Sequence, residues 1–224
     1  MAASDNKALG SSSYWDSRYA HSDGQSPTHE WFLSFSQLEG FFRQNLFQVQ
    51  GLRPVNNPLI LHLGSGDSVI PKEFASQGYC QQLCVDFSPV VVNVMSERHG
   101  DIKGIEWKEM DVRDMSAVAD KSISVAFNKG TLDAMIHGSP WNPQMRSSKT
   151  LVDISERVLK DDGVFLYITF RQSHFIKPLL NPDQLWDIDM QVLGEDGSIP
   201  YFAFVLKKRP VPSPSQTSDE CRIQ

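Results

Sequence analysis

Cysteine is scarce in this 224-residue chain, and Cys80, Cys84 and Cys221 show neither the CxxC spacing of a zinc site nor the density of a disulfide scaffold. No metal is expected, and a reducing compartment is. Cys80 and Cys84 lie beside an apolar run and read as apolar fillers, not reactive thiols. Dense basic clusters are also missing: 21 Lys and Arg stand against 27 Asp and Glu, a formal charge of −6. That balance argues against a surface built to neutralise a nucleic-acid backbone, and leaves a basic protein partner open. No stretch is long enough to span a bilayer, so no membrane association is expected. Met1 to Ser13 is small and polar, with one Lys and no Arg, unlike a signal peptide or a mitochondrial leader. The cytoplasm is the expected location, with the nucleus also open.

What is present is an apolar run, Leu59-Ile60-Leu61-His62-Leu63, ending in Gly64-Ser65-Gly66, and a second run ending in Val85-Asp86-Phe87. Two glycines let a backbone turn tightly and approach a ligand. A carboxylate about 20 residues further on, one strand-helix-strand unit away, is placed to accept hydrogen bonds from ribose hydroxyls. The bland alternative is a turn that needs glycine only for its backbone angles. A dinucleotide oxidoreductase would carry a third glycine where this chain continues Asp67-Ser68-Val69, so a different adenosine ligand is favoured.

At this length, with 40% hydrophobic residues, the chain can bury one substantial core. Strands are predicted near 59–64, 82–87, 105–110, 123–128 and 163–170, alternating with helices at 68–77, 88–98, 131–137 and 147–159. That is the pattern of a parallel sheet with helices on both faces. Ser88-Pro89 starts a helix well, and Asp161-Asp162-Gly163 stops one. Before the first strand, the aromatic-rich segment 14–48 repeats apolar residues at helical spacing, predicting one amphipathic helix over most of it. Ile188 to Leu193, the turn 194–197 and Tyr201 to Leu206 read as a hairpin, which fits the methyltransferase version of this sheet and not the oxidoreductase version. The folded domain is expected over 14–209, with flexible ends at 1–13 and 210–224.

In open α/β sheets ligands sit outside the carboxyl ends of the strands. The residues there are Gly64 to Asp67, Asp86 and Phe87, Asp111 and Val112, and Asn128 to Asp133. Asp111 can accept an adenine amino group while Val112 packs on the ring, although a helix N-cap is an equal reading for Asp111. Trp15 and Trp31 fall outside the helical stripe, where an aromatic can cover a ligand as readily as fill a core. His62, within the first strand, reads as a core residue, and His137 cannot be placed.

Tyr14-Trp15-Asp16-Ser17-Arg18-Tyr19, Glu30-Trp31-Phe32, the Gly64 and Asp86 motifs and Lys129-Gly130-Thr131-Leu132-Asp133 together resemble the seven-stranded S-adenosylmethionine-dependent methyltransferases that modify translation elongation factor 1-alpha on lysine. The resemblance extends to Tyr201-Phe202-Ala203-Phe204. It implies a Rossmann-like, class I methyltransferase fold with a C-terminal hairpin and an aromatic N-terminal helical segment. It also implies S-adenosylmethionine as cofactor, S-adenosylhomocysteine as product, and Trp15, Tyr19 and Trp31 closing over the cofactor. Gly64, with Ser65 and Gly66, would approach its methionine portion, Asp86 and Phe87 its ribose and adenine, and Asp111 and Val112 the adenine edge. Lys129 would lie at the strand-four rim. Relatives usually carry Gly-Cys-Gly-Asn where this chain has Gly64-Ser65-Gly66-Asp67, and an acid where it has Asn128.

Methyl transfer from a sulfonium needs a neutral nucleophile in line with the breaking bond, so the protein mainly supplies orientation and removal of water. No nucleophilic enzyme residue is expected. Asn128 and Asp133 are the candidates for orienting a protein lysine amine. A small-molecule methyltransferase is the alternative within enzymes, with 137–148 as a partial lid. A catalytically weak subunit that binds a partner is the alternative outside them, motivated by Asn128 and Asp67.

Overall fold

A computed structural model describes residues 9, 11–21, 30–136, 156–194 and 199–210. Seven strands form one sheet in the order β3-β2-β1-β4-β5-β7-β6. They are β1 (Ile60–Leu63), β2 (Gln82–Asp86), β3 (Ile105–Glu109), β4 (Ile123–Lys129), β5 (Leu159–Thr169), β6 (Trp186–Leu193) and β7 (Tyr201–Lys208). The first five run parallel, and β7 is antiparallel to both β5 and β6. The expected hairpin therefore exists, with its tip at 195–198 outside the described residues.

Both faces of the sheet are covered, which is why its central strands read as continuous apolar runs. Leu61, Leu63, Val85, Ala126, Phe165 and Tyr167 face one layer, which holds Leu132 and Ile176. Their neighbours Ile60, Val125, Phe127, Leu166 and Ile168 face the other, which holds Phe41, Phe42 and Phe74. The Phe42 ring stands edge-on to Phe74 at 4.8 Å and to Phe127 at 5.5 Å, the T-shaped packing that aromatic quadrupoles favour.

The helices are α1 (Ser12–Ala20), α2 (Phe35–Phe42), α3 (Ile70–Ser76), α4 (Pro89–Arg98), α5 (Thr131–Met135) and α6 (Ser173–Leu180). Among the described residues the single helix expected over 14–48 is instead α1 and α2, because a capping box between Ser34 and Gln37 begins a new helix at Phe35. A π-helical turn, Arg43–Phe47, follows it. Ser88 caps α4 by accepting from the Val91 amide, with Pro89 in the first turn, as the sequence predicts.

The fifth strand begins at Leu159, not at 163. Its register against β4 shifts between Ile123 and Val125, so Asp161-Asp162-Gly163 forms an irregularity inside a strand and does not precede one. A side chain at Gly163 would meet Leu159 and the Ile123 carbonyl. Helix α6 was not foreseen, since Pro178 interrupts its pattern. Of the helix expected at 147–159, only 156–159 is described; 156–158 is helical and Leu159 already belongs to β5. His137 and the rest of the 137–148 segment lie outside the described residues, as do most of the two expected flexible ends. Among the described residues no helix is long and apolar enough to cross a membrane.

Candidate active site

The carboxyl ends of β1, β2, β4 and β5 open onto a cavity of about 260 Å³. On its β2 side Asp86, almost fully buried, is held by backbone: Oδ2 accepts from the Gly66 amide at 2.9 Å and Oδ1 from the Ser88 amide at 3.0 Å. Burial pushes its carboxyl from 3.8 to about 6, against the pull of the Ser88, Gly66 and Phe87 amides, while the charge of Asp16 adds to the rise. The turn that aims the Gly66 amide is left-handed at both glycines, φ 62° at Gly64 and 53° at Gly66.

The glycine requirement has a second cause that the sequence did not reveal. A Cβ on Gly64 would fall 2.3 Å from Thr131 Oγ1, and that hydroxyl donates to the Leu63 carbonyl at 2.9 Å. Thr131 thus locks α5 onto the end of β1. A Cβ on Gly66 would come within 2.8 Å of the Tyr19 hydroxyl, which leans over the turn from α1.

The N-terminal segment forms the roof. Trp15 and Tyr19 stack with centroids 5.9 Å apart, Trp15 meets Trp31 at 6.0 Å, and both Trp15 and Tyr19 pack with Val91 and Met95 of α4. Burial, with the charges of Asp86 and Asp67, drives the Tyr19 hydroxyl well above its ordinary value, so it stays protonated. Lys129 at the end of β4 pins this roof: its Nζ pairs with Glu30 and donates to the Trp31 carbonyl at 2.8 Å. Glu30 also accepts from the Ser68 hydroxyl at 3.1 Å and the Val69 amide at 3.3 Å. Burial lowers the Lys129 ammonium below its ordinary value, and Glu30 opposes that.

On the far side, Asp133 of α5 accepts from Tyr167 Oη at 2.8 Å and Thr169 Oγ1 at 2.6 Å. Arg171 Nε lies 3.3 Å from Asp133 Oδ1, close enough for attraction but not aligned as a hydrogen bond. Burial raises the Asp133 carboxyl from 3.8 to about 6, and those three partners pull it back.

All eleven residues expected around a cofactor, Trp15, Tyr19, Trp31, Gly64, Ser65, Gly66, Asp86, Phe87, Asp111, Val112 and Lys129, line the cavity, and so does Asp133. Asp111 is not a helix cap; its carboxylate accepts from Arg113 Nε at 2.9 Å and the Arg113 amide at 2.8 Å. Burial works to raise that carboxyl, but the Arg113 hydrogen bonds outweigh it and hold it below the ordinary range.

Asn128 requires correction. It is fully buried and does not line the cavity; its Nδ2 donates to the Leu63 carbonyl at 3.4 Å and its Oδ1 accepts from the Leu132 amide at 3.3 Å. The side chain satisfies a first-turn amide of α5 that would otherwise be buried unpaired, so it is committed to structure and does not face a substrate. His62 is buried and its Nε2 bonds Gln82 Oε1 at 2.8 Å, yet it also lines the cavity; burial, opposed by that bond, lowers the ring to about 4. Sequence reasoning missed Glu30, Thr131, Tyr167, Thr169 and Arg171. The first two stand inside motifs already singled out, whereas the last three carry no local pattern.

Residues 61–167 match the family model described as a methyltransferase domain. Strand order and this match agree. The chain has the seven-stranded methyltransferase fold. It is 34% identical to mouse EEF1A lysine methyltransferase 4 over 72% of its length, and spans 62% of that protein. It is 25% identical to the human mitochondrial citrate synthase-lysine N-methyltransferase, covering 86% of this chain and 84% of that one. Among solved structures, an SAM-dependent methyltransferase from Methanosarcina mazei superposes with a TM-score of 0.55 at 17% identity, over 67% of this chain and 92% of that one. That likeness is one of fold. Within the seven-stranded methyltransferase sheet, the cavity lies where a ligand meets the carboxyl ends of the strands.

Proposed function

We propose that this chain binds S-adenosylmethionine in the cavity and transfers its methyl group to a lysine amine of a protein, in the cytoplasm, with translation elongation factor 1-alpha the first candidate substrate. The observation that carries the reading is the pair of buried carboxylates on opposite flanks of one cavity, Asp86 among backbone amides and Asp133 among side-chain donors. The named relatives supply the substrate class.

The residues present fit the cofactor. Asp86 is a carboxylate with acceptor capacity beyond its amide bonds, suited to the two hydroxyls of a ribose. Phe87 and Val112 offer apolar surface beside it for an adenine ring. When bound, S-adenosylmethionine supplies a methyl group activated by its sulfonium. The chain's own task is orientation. Asp86 and the Gly66 turn hold one end of the cavity's ligand, while Trp15, Tyr19 and Trp31 exclude water from above.

A lysine amine titrates near 10.4 in water, and an aromatic, desolvated wall disfavours its ammonium form. Asp133 Oδ atoms accept a hydrogen bond from the neutral amine and so direct its lone pair toward the methyl group. The placement of Asn128 away from the cavity takes away one of the two motives for a weak-subunit reading, because a neutral residue there takes no charge from the cavity wall, while Asp67, the other motive, lines the cavity.

The test is isothermal titration with S-adenosylmethionine and S-adenosylhomocysteine, then labelled-methyl transfer to elongation factor 1-alpha. Micromolar binding that Asp86→Ala weakens about 100-fold is expected. No heat from a folded sample would sink the free-standing enzyme and promote a subunit that acts only with a partner.

A further inference from the structure

The roof of the cavity continues past the part assigned to the cofactor. From Trp31 the aromatic line runs to Phe32, 6.4 Å away, then to Phe170 at 5.7 Å and to Tyr201 at 5.6 Å from Phe32. Phe32 and Phe170 both line the cavity, on the flank that also carries Asp133. Two features of this stretch are expensive for the fold. Phe32 has φ 65°, a left-handed conformation that a residue with a bulky side chain rarely adopts. Phe170 is 45% exposed although it stands directly after a buried strand.

Phe32 packs against the second core layer, and its ring also reaches the cavity edge. The left-handed turn at Phe32 brings its ring over Gly130, where a Cβ would lie 3.5 Å from it, and holds it against Phe170. Arg171 sits over the Phe170 ring with Cζ 5.2 Å from its centroid, which fixes that ring from one side. The result is two fixed aromatic rings at the cavity edge with a buried carboxylate in the same cavity.

We propose, building on the methyltransferase reading, that Phe32 and Phe170 are the jaws that grip the aliphatic stem of the substrate lysine as its amine reaches Asp133. A stem of four methylenes ending in a basic nitrogen matches this order of surfaces, apolar first and acidic within. An acidic side chain of similar length would meet the Asp133 carboxylate and be repelled. The jaws therefore select the target residue, while the β1–β3 flank selects the cofactor.

Two measurements decide it, after the wild-type affinity for S-adenosylhomocysteine has reported separately on the methyltransferase reading. In the first, 4-fluorophenylalanine is incorporated throughout, the Phe170 and Phe32 signals are assigned with Phe170→Tyr and Phe32→Tyr, and Nα-acetyl-lysine amide is titrated. Both signals are expected to shift saturably, and to stay fixed with Nα-acetyl-glutamate amide. Signals that ignore the lysine probe, or that answer both probes equally, would overturn the assignment, whether or not the cofactor binds. In the second, Phe170→Ala is expected to raise KM for elongation factor 1-alpha about tenfold while S-adenosylhomocysteine affinity changes less than about twofold. A KM that does not move, or a parallel loss of both, would also overturn it.

Discussion

On the β1–β3 flank of the cavity Asp86 is held by two main-chain amides, whereas on the β4–β5 flank Asp133 is held by the side chains of Tyr167 and Thr169, with Arg171 beside it. Both carboxylates are buried to the same degree and both are pushed to about 6. The amides that hold Asp86 come with any chain that makes the glycine turn and the Ser88 cap. The donors that hold Asp133 exist only because particular side chains were placed on a distant strand. A backbone-built flank suits a ligand that stays the same, and a side-chain-built flank can be retuned for a substrate.

The sharpest break of the first flank is Gly64→Ala. The new Cβ would collide with Thr131 at a left-handed φ, and a loss of about 3 kcal/mol in unfolding free energy is expected by denaturant titration. A loss below about 1 kcal/mol would show that α5 yields and that the turn is less fixed than the geometry implies.

Asp86→Ala addresses the ligand. Two charge-assisted hydrogen bonds to a ribose imply a fall of about 100-fold in S-adenosylhomocysteine affinity by calorimetry, with the fold retained by circular dichroism. The matching change on the other flank, Asp133→Asn, is expected to cut methyl transfer while leaving that affinity within about threefold. Equal losses of affinity in both variants would erase the distinction between the flanks.

Between them stands the Lys129–Glu30 pair, which ties the roof to β4. Lys129→Met leaves Glu30 without its cation, and a destabilisation of about 2 kcal/mol is expected, less than for a fully buried pair because Glu30 keeps some contact with water. Adding Glu30→Gln to Lys129→Met is expected to recover more than half of it, which a double-mutant cycle would read.

The smallest effect is a pH dependence. Because the Asp86 carboxyl is raised from 3.8 to about 6, the folded protein takes up a proton there that the unfolded chain does not. Stability contributed by this site is therefore greatest at low pH and falls as pH rises from about 4 to about 6. Cofactor binding runs the other way, since only the ionised form accepts from both ribose hydroxyls. Affinity is expected to fall about tenfold for each unit below pH 6 and to be flat in Asp86→Asn. A profile unchanged by the substitution would assign the titration to another group.

The strand-helix alternation and the hairpin were legible because each rests on a local period or turn. The Asp86 side of the site was legible for the same reason, since glycine, strand end and acid lie within one strand-helix-strand unit. The single long helix over 14–48 failed because hydrophobic spacing continued across a break that only the Ser34–Gln37 capping box marks. Asn128 misled because position at a strand end was taken for orientation toward the cavity, whereas its amide turns back to bond Leu63 and Leu132.

Short-range pattern by itself pointed to the fold class and to the strand-end residues Gly64, Gly66, Asp86, Phe87, Asp111 and Val112, since these depend on periodicity and on glycine's freedom at one turn, while Trp15, Tyr19, Trp31 and Lys129 came from the resemblance that the motifs carry. Tertiary structure alone decided which acid is clamped by which donor. Tyr167 and Thr169 reach Asp133, and Lys129 reaches Glu30, only after β5 pairs with β4 and the N-terminal segment folds over the sheet. Such contacts join residues far apart in the chain, and no local spacing encodes them.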